Sequence, residues 1–166
     1  SDNFLNIPYF MAISENKDAT ISPRLYVDNQ ILLQTEYRQV NSESNHIADF
    51  SIFNKKNDNS KSHLFYNFEK NLKVENFDNS QINFKIQKTS NDNYLKSNKI
   101  ETNLIEDSDV LENSFNLNLY SNNFSIDLNT TVYENLNKIK SDRYEYIYPQ
   151  LNLTKKIETN KDINGN

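Results

Sequence analysis

The stretch that decides the fold is Gln-Ile-Asn-Phe-Lys-Ile-Gln-Lys, residues 81–88. Its apolar side chains, Ile82, Phe84 and Ile86, fall on one side of an extended chain, and the polar side chains between them fall on the other. A repeat of two residues is the pattern of a β-strand with one apolar and one polar face, whereas a helix needs apolar residues at intervals of three and four. The stretch therefore predicts a strand.

The same alternation continues in both directions along the chain. Together with residues 81–88 it predicts about nine strands in sequence and no long helix. The remaining segments are residues 4–13, 19–27, 31–40, 46–54, 63–69, 114–120, 124–133 and 144–155.

The predicted connections are polar and unequal in length. Most are short, as antiparallel hairpins require, but residues 91–113 and 135–143 form longer ones. In an up-and-down meander these two connections emerge at the same end, because an even number of links separates them. Short turns at one end and long loops at the other are typical of an outer-membrane barrel.

Composition narrows the possible functions. The 166 residues suit one domain, and the ten Tyr and ten Phe lie in the alternating runs, which argues against disorder. The net charge of -5 without a basic block predicts no nucleic-acid partner, and the absence of Cys excludes disulfides and thiolate chemistry in this stretch. No apolar run approaches the roughly 18 residues of a membrane helix. The chain begins at Ser1 inside a strand-like pattern, so we interpret it as a fragment of a longer protein.

Alternation alone leaves two architectures open. A β-sandwich also alternates, and its solvated face is as polar as a water-filled lumen. Several strands here run for about eight to eleven residues, which suits a tilted strand that crosses hydrocarbon better than the roughly five or six of a common strand. The candidate functions are therefore an outer-membrane barrel or a secreted sandwich that binds surfaces.

The first forty residues resemble a known family. They contain Pro8-Tyr9-Phe10, a turn with Asn16 and Asp18, and residues 19–23 ending in Pro23. The cluster Glu36-Tyr37-Arg38 follows. In this order and spacing they resemble the early barrel strands of the LPS-assembly protein (LptD) family. Ser22 and Gln39 stand where that family commonly has threonine and tyrosine, and neither changes the strand pattern.

The resemblance implies a fold and a function. The fold would be an all-β, antiparallel up-and-down meander forming part of a transmembrane β-barrel. Residues 1–155 would be the partial barrel domain, about barrel strands two to ten, and residues 156–166 a polar tail or loop. The implied function is insertion of lipopolysaccharide into the outer leaflet of a Gram-negative outer membrane. The implied partners are the lipid bilayer, a lipoprotein that plugs the barrel and periplasmic transport proteins.

Residue roles follow from the same resemblance. Pro8 and Pro23 would weaken the lateral seam through which the lipid leaves, because proline donates no ladder hydrogen bond. The resemblance makes the polar face lumen-facing. The lumen-facing residues would be Gln34, Glu36, Arg38, Asn67, Glu69, Asn83, Lys85, Gln87, Asn116, Asn118, Asp127 and Asn129.

The sequence predicts neither an enzyme nor a bound cofactor or metal. Glu106, Asp107, Asp109 and Glu112 form an acidic cluster without a calcium-loop pattern, which indicates a solvated loop. His63 lies in no known catalytic motif. The alternative functions are another outer-membrane barrel, such as a porin or receptor, and the secreted sandwich adhesin or binding module.

Overall fold

A computed structural model describes residues 3–27 and 29–157 of this chain. The predicted tail, residues 156–166, lies almost entirely outside the described residues. The elements in chain order are β1 (Phe4–Asn6), β2 (Tyr9–Ser14), β3 (Lys17–Tyr26), β4 (Ile31–Val40), β5 (Ser44–Asn54), β6 (Lys61–Asn71), β7 (Asn79–Thr89), α1 (Tyr94–Ser97), β8 (Val110–Tyr120), β9 (Phe124–Asn135), a 3-10 turn (Lys140–Arg143) and β10 (Tyr144–Lys155).

The strands form one open antiparallel sheet of ten strands, in which β3 to β10 follow each other in chain order. The prediction of an all-β meander is therefore confirmed. Within the described residues there is no second sheet and no crossover, so the sandwich alternative is wrong for this part of the chain. The order is the one expected of a segment of barrel wall.

The first predicted strand, residues 4–13, is two strands, which is why the sheet has ten strands where we predicted about nine. β1 and β2 lie end to end along β3 and are separated by Ile7 and Pro8. Across this break stands Pro23, whose carbonyl accepts a hydrogen bond from the amide of Ile7 at 3.3 Å. In this register Ile7 lies opposite Pro23 and Pro8 opposite Ser22. Pro23 has no amide hydrogen to donate back to Ile7, so the ladder is interrupted here.

The two ends of the sheet differ in the length of their connections. Residues 15–16, 41–43, 72–78 and 121–123 connect strands at one end, and residues 27–30, 55–60, 90–109 and 136–143 connect them at the other. The long connections share one end, as their even separation predicts.

Asparagine takes the turn positions that need a left-handed backbone. Asn29, Asn57 and Asn76 have φ values of 56°, 65° and 69°. The chain contains one glycine, Gly165, near its C-terminus. Asn tolerates this conformation better than other non-glycine residues, so it serves here in place of glycine.

The strand register carries the alternation across the sheet. Asn83 lies opposite Asn116, and one residue away Ile82 lies opposite Leu117. Such rows create a polar face and an apolar face. Large apolar side chains remain exposed on the apolar face; Ile31, for example, keeps 49% of its surface accessible to solvent. They include Ile31, Leu33, Phe50, Ile52, Leu64 and Ile86.

The buried apolar cluster lies on the opposite side of the sheet, where side chains of residues 90–109 pack against it. Its members are Leu32, Phe65, Tyr94, Leu95, Ile100, Leu104, Leu111 and Leu136. Among the described residues, no helix has the length and apolarity needed to cross a membrane.

The exposed apolar face and the unpaired outer edges predict the behaviour of the chain in water. Edge strands such as β2 and β10 offer free backbone groups, and large apolar patches favour association. We expect the isolated 166-residue chain to self-associate in detergent-free buffer, as measured by analytical ultracentrifugation. A monodisperse monomer with a cooperative thermal transition would contradict this expectation.

Candidate functional site

The polar face brings together the side chains that the sequence analysis assigned to a lumen. Cross-strand pairs link β3 to β9 in regular register, and all of these residues fall on one side of the sheet. They are Gln34, Glu36, Arg38, Asn67, Glu69, Asn83, Lys85, Gln87, Asn116, Asn118, Asp127 and Asn129.

An open cavity of about 680 Å³ occupies part of this face, toward the short-turn end of the sheet. Among its lining residues are Arg38, Asn67, Glu69, Asn83, Lys85 and Asn116.

The cations of this cavity are matched by carboxylates. Lys85 Nζ lies 2.7 Å from Glu112 Oε2, and Arg38 Nε lies 2.8 Å from Asp18 Oδ1. On the same two strands as the Lys85–Glu112 pair, Asn116 donates to the side-chain oxygen of Asn83 at 2.8 Å. Paired charges and amides make this part of the face hydrophilic.

Residues 90–109 fold back over the other part of the polar face, at the long-loop end. We call residues 90–109 the covering segment. Tyr94 and Leu95, at the start of α1, are each 1% exposed and pack on Leu32 and Phe65 of the sheet. Burying a large apolar side chain contributes about 1.5–3 kcal/mol, so this cluster is the main attachment of the covering segment.

Three side chains of the sheet donate hydrogen bonds to backbone carbonyls of the covering segment. Arg24 Nη1 reaches the carbonyl oxygens of Asn98 and Lys99 at 2.7 and 3.0 Å. Gln34 Nε2 reaches that of Glu101 at 3.0 Å, and Gln87 Nε2 reaches that of Leu104 at 2.8 Å. These bonds satisfy carbonyls that no strand pairs, as buried backbone requires.

A chain of buried side chains runs beneath Tyr94. The Tyr94 hydroxyl lies 2.6 Å from Ser51 Oγ, which lies 2.7 Å from His63 Nδ1, and His63 Nε2 lies 3.1 Å from Asp49 Oδ1. Gln34 donates to both oxygens of Asp49 at 3.1 and 3.0 Å. Every group is satisfied when Tyr94 donates to Ser51, Ser51 donates to His63, and His63 carries its proton on Nε2.

This arrangement places a serine, a histidine and an aspartate in the order of a hydrolase triad, which the sequence analysis did not find. Ser51 is 0% exposed and His63 is 3% exposed, and the hydroxyl of Tyr94 takes the side of Ser51 where a substrate would bind. We interpret this row of hydrogen-bonded side chains as a structural attachment that holds Tyr94 on the sheet. Burial raises the pKa of Tyr94, which keeps its hydroxyl protonated and able to donate.

The sequence did contain a signal for the covering segment. Leu32, Phe53 and Phe65 occupy positions of the polar face, as the register with their neighbours shows. Apolar residues at polar-face positions predict a cover over that part of the sheet, because exposed apolar area is unfavourable.

Ion pairs fix the ends of the covering segment at the surface. Arg143 contacts Asp92 with both terminal nitrogens, at 2.7 and 3.1 Å, and donates from Nε to Glu134 at 2.6 Å. Lys96 Nζ lies 2.6 Å from Asp109 Oδ2. These cations lower the pKa of Asp92 and of Asp109.

The acidic cluster of the sequence is dispersed in the structure. Asp109 pairs with Lys96, whereas Glu112 pairs with Lys85 on the sheet. Across residues 3–27 and 29–157 no group of three or more side chains is arranged to hold a metal ion.

The residues of the family motif lie around β2, β3 and β4. Tyr9 and Phe10 are exposed on the edge strand β2, and Asn16 in the next turn donates to Asn41 at 3.0 Å. Tyr37 lies on the apolar face, where its hydroxyl donates to Gln39 at 2.8 Å.

The rest of the motif lies on the polar face. Arg38 is near both Asp18 and Glu36, at 2.8 and 3.6 Å. Asp18, which follows the turn of the motif, and the closing residues Glu36 and Arg38 are thus neighbours in space.

Comparisons with known proteins add no identification. The chain matches no family model, and no curated protein resembles it at a significant level.

The Arg143–Asp92 pair predicts an effect of acid on the covering segment. Since the folded-state pKa of Asp92 is lowered, its contribution is complete above the ordinary carboxyl pKa, about 4, and is lost as pH falls through the lower folded value. The contribution is at most about 1 kcal/mol because the carboxylate is half exposed. Hydrogen exchange near Asp92, corrected for the intrinsic rate, should therefore accelerate below about pH 4.

Asp92→Asn should show the faster exchange already at neutral pH and lose the acid response. Glu106→Gln, at an exposed position of the same segment, is the control and should behave like the parent. An unchanged acid response in Asp92→Asn would exclude the Arg143–Asp92 pair as its cause.

Proposed function

We propose that this sheet is part of the wall of an outer-membrane β-barrel that inserts lipopolysaccharide into the outer leaflet. The observation that carries the proposal is the division of a single meander sheet into two faces. One face exposes large apolar side chains, and the other collects amides, paired charges and a cavity. The resemblance of the first forty residues to the LptD family supplies the identity of the cargo.

The apolar face has the character of a surface in contact with lipid. Its exposed aliphatic and aromatic side chains would be unfavourable in water, yet they match hydrocarbon. The strands from β3 to β10 contain 10 to 12 residues each. A tilted strand needs about 9–11 residues to cross the hydrocarbon core. Both the strand length and the exposed apolar side chains therefore suit a sheet that crosses the hydrocarbon core of a membrane.

The polar face has the character of a lumen that passes hydrophilic groups. Arg38 and Lys85 of this face are each paired with a carboxylate, which weakens their hold on a passing phosphate group. Sugar and phosphate groups would pass along this face while the acyl chains leave sideways between strands. The lipoprotein plug and the periplasmic transport proteins are the partners that the resemblance implies.

The sideways route needs a weak place in the wall. The break between β1 and β2, with Pro8 opposite the β3 strand that contains Pro23, is such a place. Consecutive residues of a strand direct their backbone groups to opposite sides. Since the Ile7 amide points to β3, the nitrogen of Pro8 points to the open edge, where a preceding strand would pair.

Another outer-membrane barrel, such as a porin or receptor, is the alternative. It would share the two faces but has no use for a weakened edge, so the seam experiment below separates the two functions.

The two faces predict opposite responses to a new charge. In the intact protein, Phe84→Lys should lower the stability of the assembled barrel by about 2–4 kcal/mol if residue 84 lies near the bilayer midplane. The substitution also removes the contact of Phe84 with Phe68, whose ring centroid is 4.9 Å away. Denaturant titration in lipid vesicles measures the loss.

Asn83→Lys is the matched control, because residue 83 is the next in β7 and lies on the polar face. It should be tolerated. Normal assembly of Phe84→Lys together with failure of Asn83→Lys would reverse the assignment of the faces.

The proline break predicts an effect on export. Pro8→Ala restores a donor at the open edge, so we expect a tighter seam, less lipopolysaccharide at the cell surface and greater sensitivity to bulky antibiotics, with barrel folding little changed. Pro23→Ala should matter less. The carbonyl of Pro23 points to β1, so its nitrogen also faces the interior pairing of β1 and β2 with β3 and not the open edge.

Surface lipopolysaccharide and antibiotic sensitivity measured in both variants test this expectation. Equal defects, or a defect in Pro23→Ala alone, would remove Pro8 from the mechanism and favour the porin or receptor function.

A further inference from the structure

We propose that the covering segment, residues 90–109, is an autoinhibitory strap that occupies the polar face at the long-loop end and leaves it when cargo passes. The inference rests on the proposed function, because the segment obstructs passage only where the polar face lines a lumen.

The strap is attached by a small apolar contact. Tyr94 and Leu95 are fully buried, whereas Ile100 and Leu104 retain 8% and 7% exposure at the margin of the cluster. The exposed residues between them, such as Lys96 and Ser97, face away from the sheet. A segment held by a few side chains on one side can detach locally while the strands beneath it remain paired.

Its hydrogen bonds can be exchanged for those of a cargo. Arg24, Gln34 and Gln87 donate to backbone carbonyls of the strap, and Gln34 also donates to Asp49 of the sheet. A sugar or phosphate group also presents acceptor oxygens, so it can take the same donors. In addition, Arg24 Nε is buried without a partner, and Arg24 lines a cavity of about 220 Å³ beside the strap. Strap and cargo therefore compete for one set of donors.

The docked strap also stores backbone strain. Lys99 has a φ of 46°, in the left-handed region that a lysine rarely adopts. Its carbonyl is one of the two that Arg24 binds, at 3.0 Å. Release of the strap would free Lys99 to return to an ordinary conformation, which partly offsets the contacts that are lost.

Leu95→Asp tests the strap, and Ser97→Asp is its matched control. Both place a carboxylate on α1, but position 95 is buried and position 97 is exposed. In the intact protein in detergent, hydrogen exchange of residues 94–104 should be at least about tenfold faster in Leu95→Asp, since a buried carboxylate destabilises the docked state. In planar bilayers the same variant should conduct more than the parent. Ser97→Asp should match the parent in both measurements.

Tyr94→Phe provides a second variant if Leu95→Asp does not fold. It removes only the hydroxyl that binds Ser51, and its exchange over residues 94–104 should rise about fivefold, the equivalent of about 1 kcal/mol. Tyr120→Phe, at an exposed tyrosine, is its control. Exchange that stays at the parent rate in both Leu95→Asp and Tyr94→Phe would overturn the proposal.

The two measurements separate the strap from the function on which it rests. Faster exchange without a change in conductance, in a protein that conducts, would overturn the strap as an obstruction and leave the barrel intact. Failure of the parent and all variants to insert into bilayers would overturn the barrel and the strap together. Faster exchange with larger conductance only in the strap variants supports both.

Discussion

Alternation of polar and apolar side chains across one sheet is the constraint on which the rest of this structure depends. Because the repeat is two residues, a slip of one residue in any strand would move every apolar side chain of that strand to the polar face. The polar rows and the apolar rows therefore require the same strand register. Asn83 and Asn116 lie opposite one another and share a hydrogen bond, and one residue along the strands Ile82 lies opposite Leu117 on the other face. Strand order, the cavity and the apolar face all follow from this register.

The molecule has an unusual distribution of buried apolar area. A soluble domain places its apolar cluster between layers, whereas here the apolar face of the sheet is exposed and the buried cluster lies on the polar side, under the covering segment. The sheet is thus covered on the side that should prefer water and uncovered on the side that should avoid it. In the proposed barrel, lipid would contact the uncovered apolar face and the covering segment would fill part of the lumen.

Much of the sheet could be predicted from the sequence, because alternation is a local property. The strands, their order and the common end of the long connections could all be predicted from this local pattern. The split of the first strand was not, since the pattern of residues 4–13 continues through Ile7 and Pro8 and the break depends on Pro23 in the neighbouring strand. The covering segment was missed for a related reason: the contact of Ser51 and His63 with Tyr94 joins residues that are far apart in the chain.

The unequal ends of the sheet also determine where the chain can accept foreign sequence. At the short-turn end, Asn41 is held by side chains from three directions, as it accepts from Asn16 and Gln39 and donates to Ser44. An insertion there would separate strands that the turn joins. At the other end, residues 55–60 are exposed throughout and carry the left-handed Asn57. A peptide epitope belongs in that loop, because it would not disturb the strands there, and in the proposed barrel it would report which end of the sheet faces the outside of the cell.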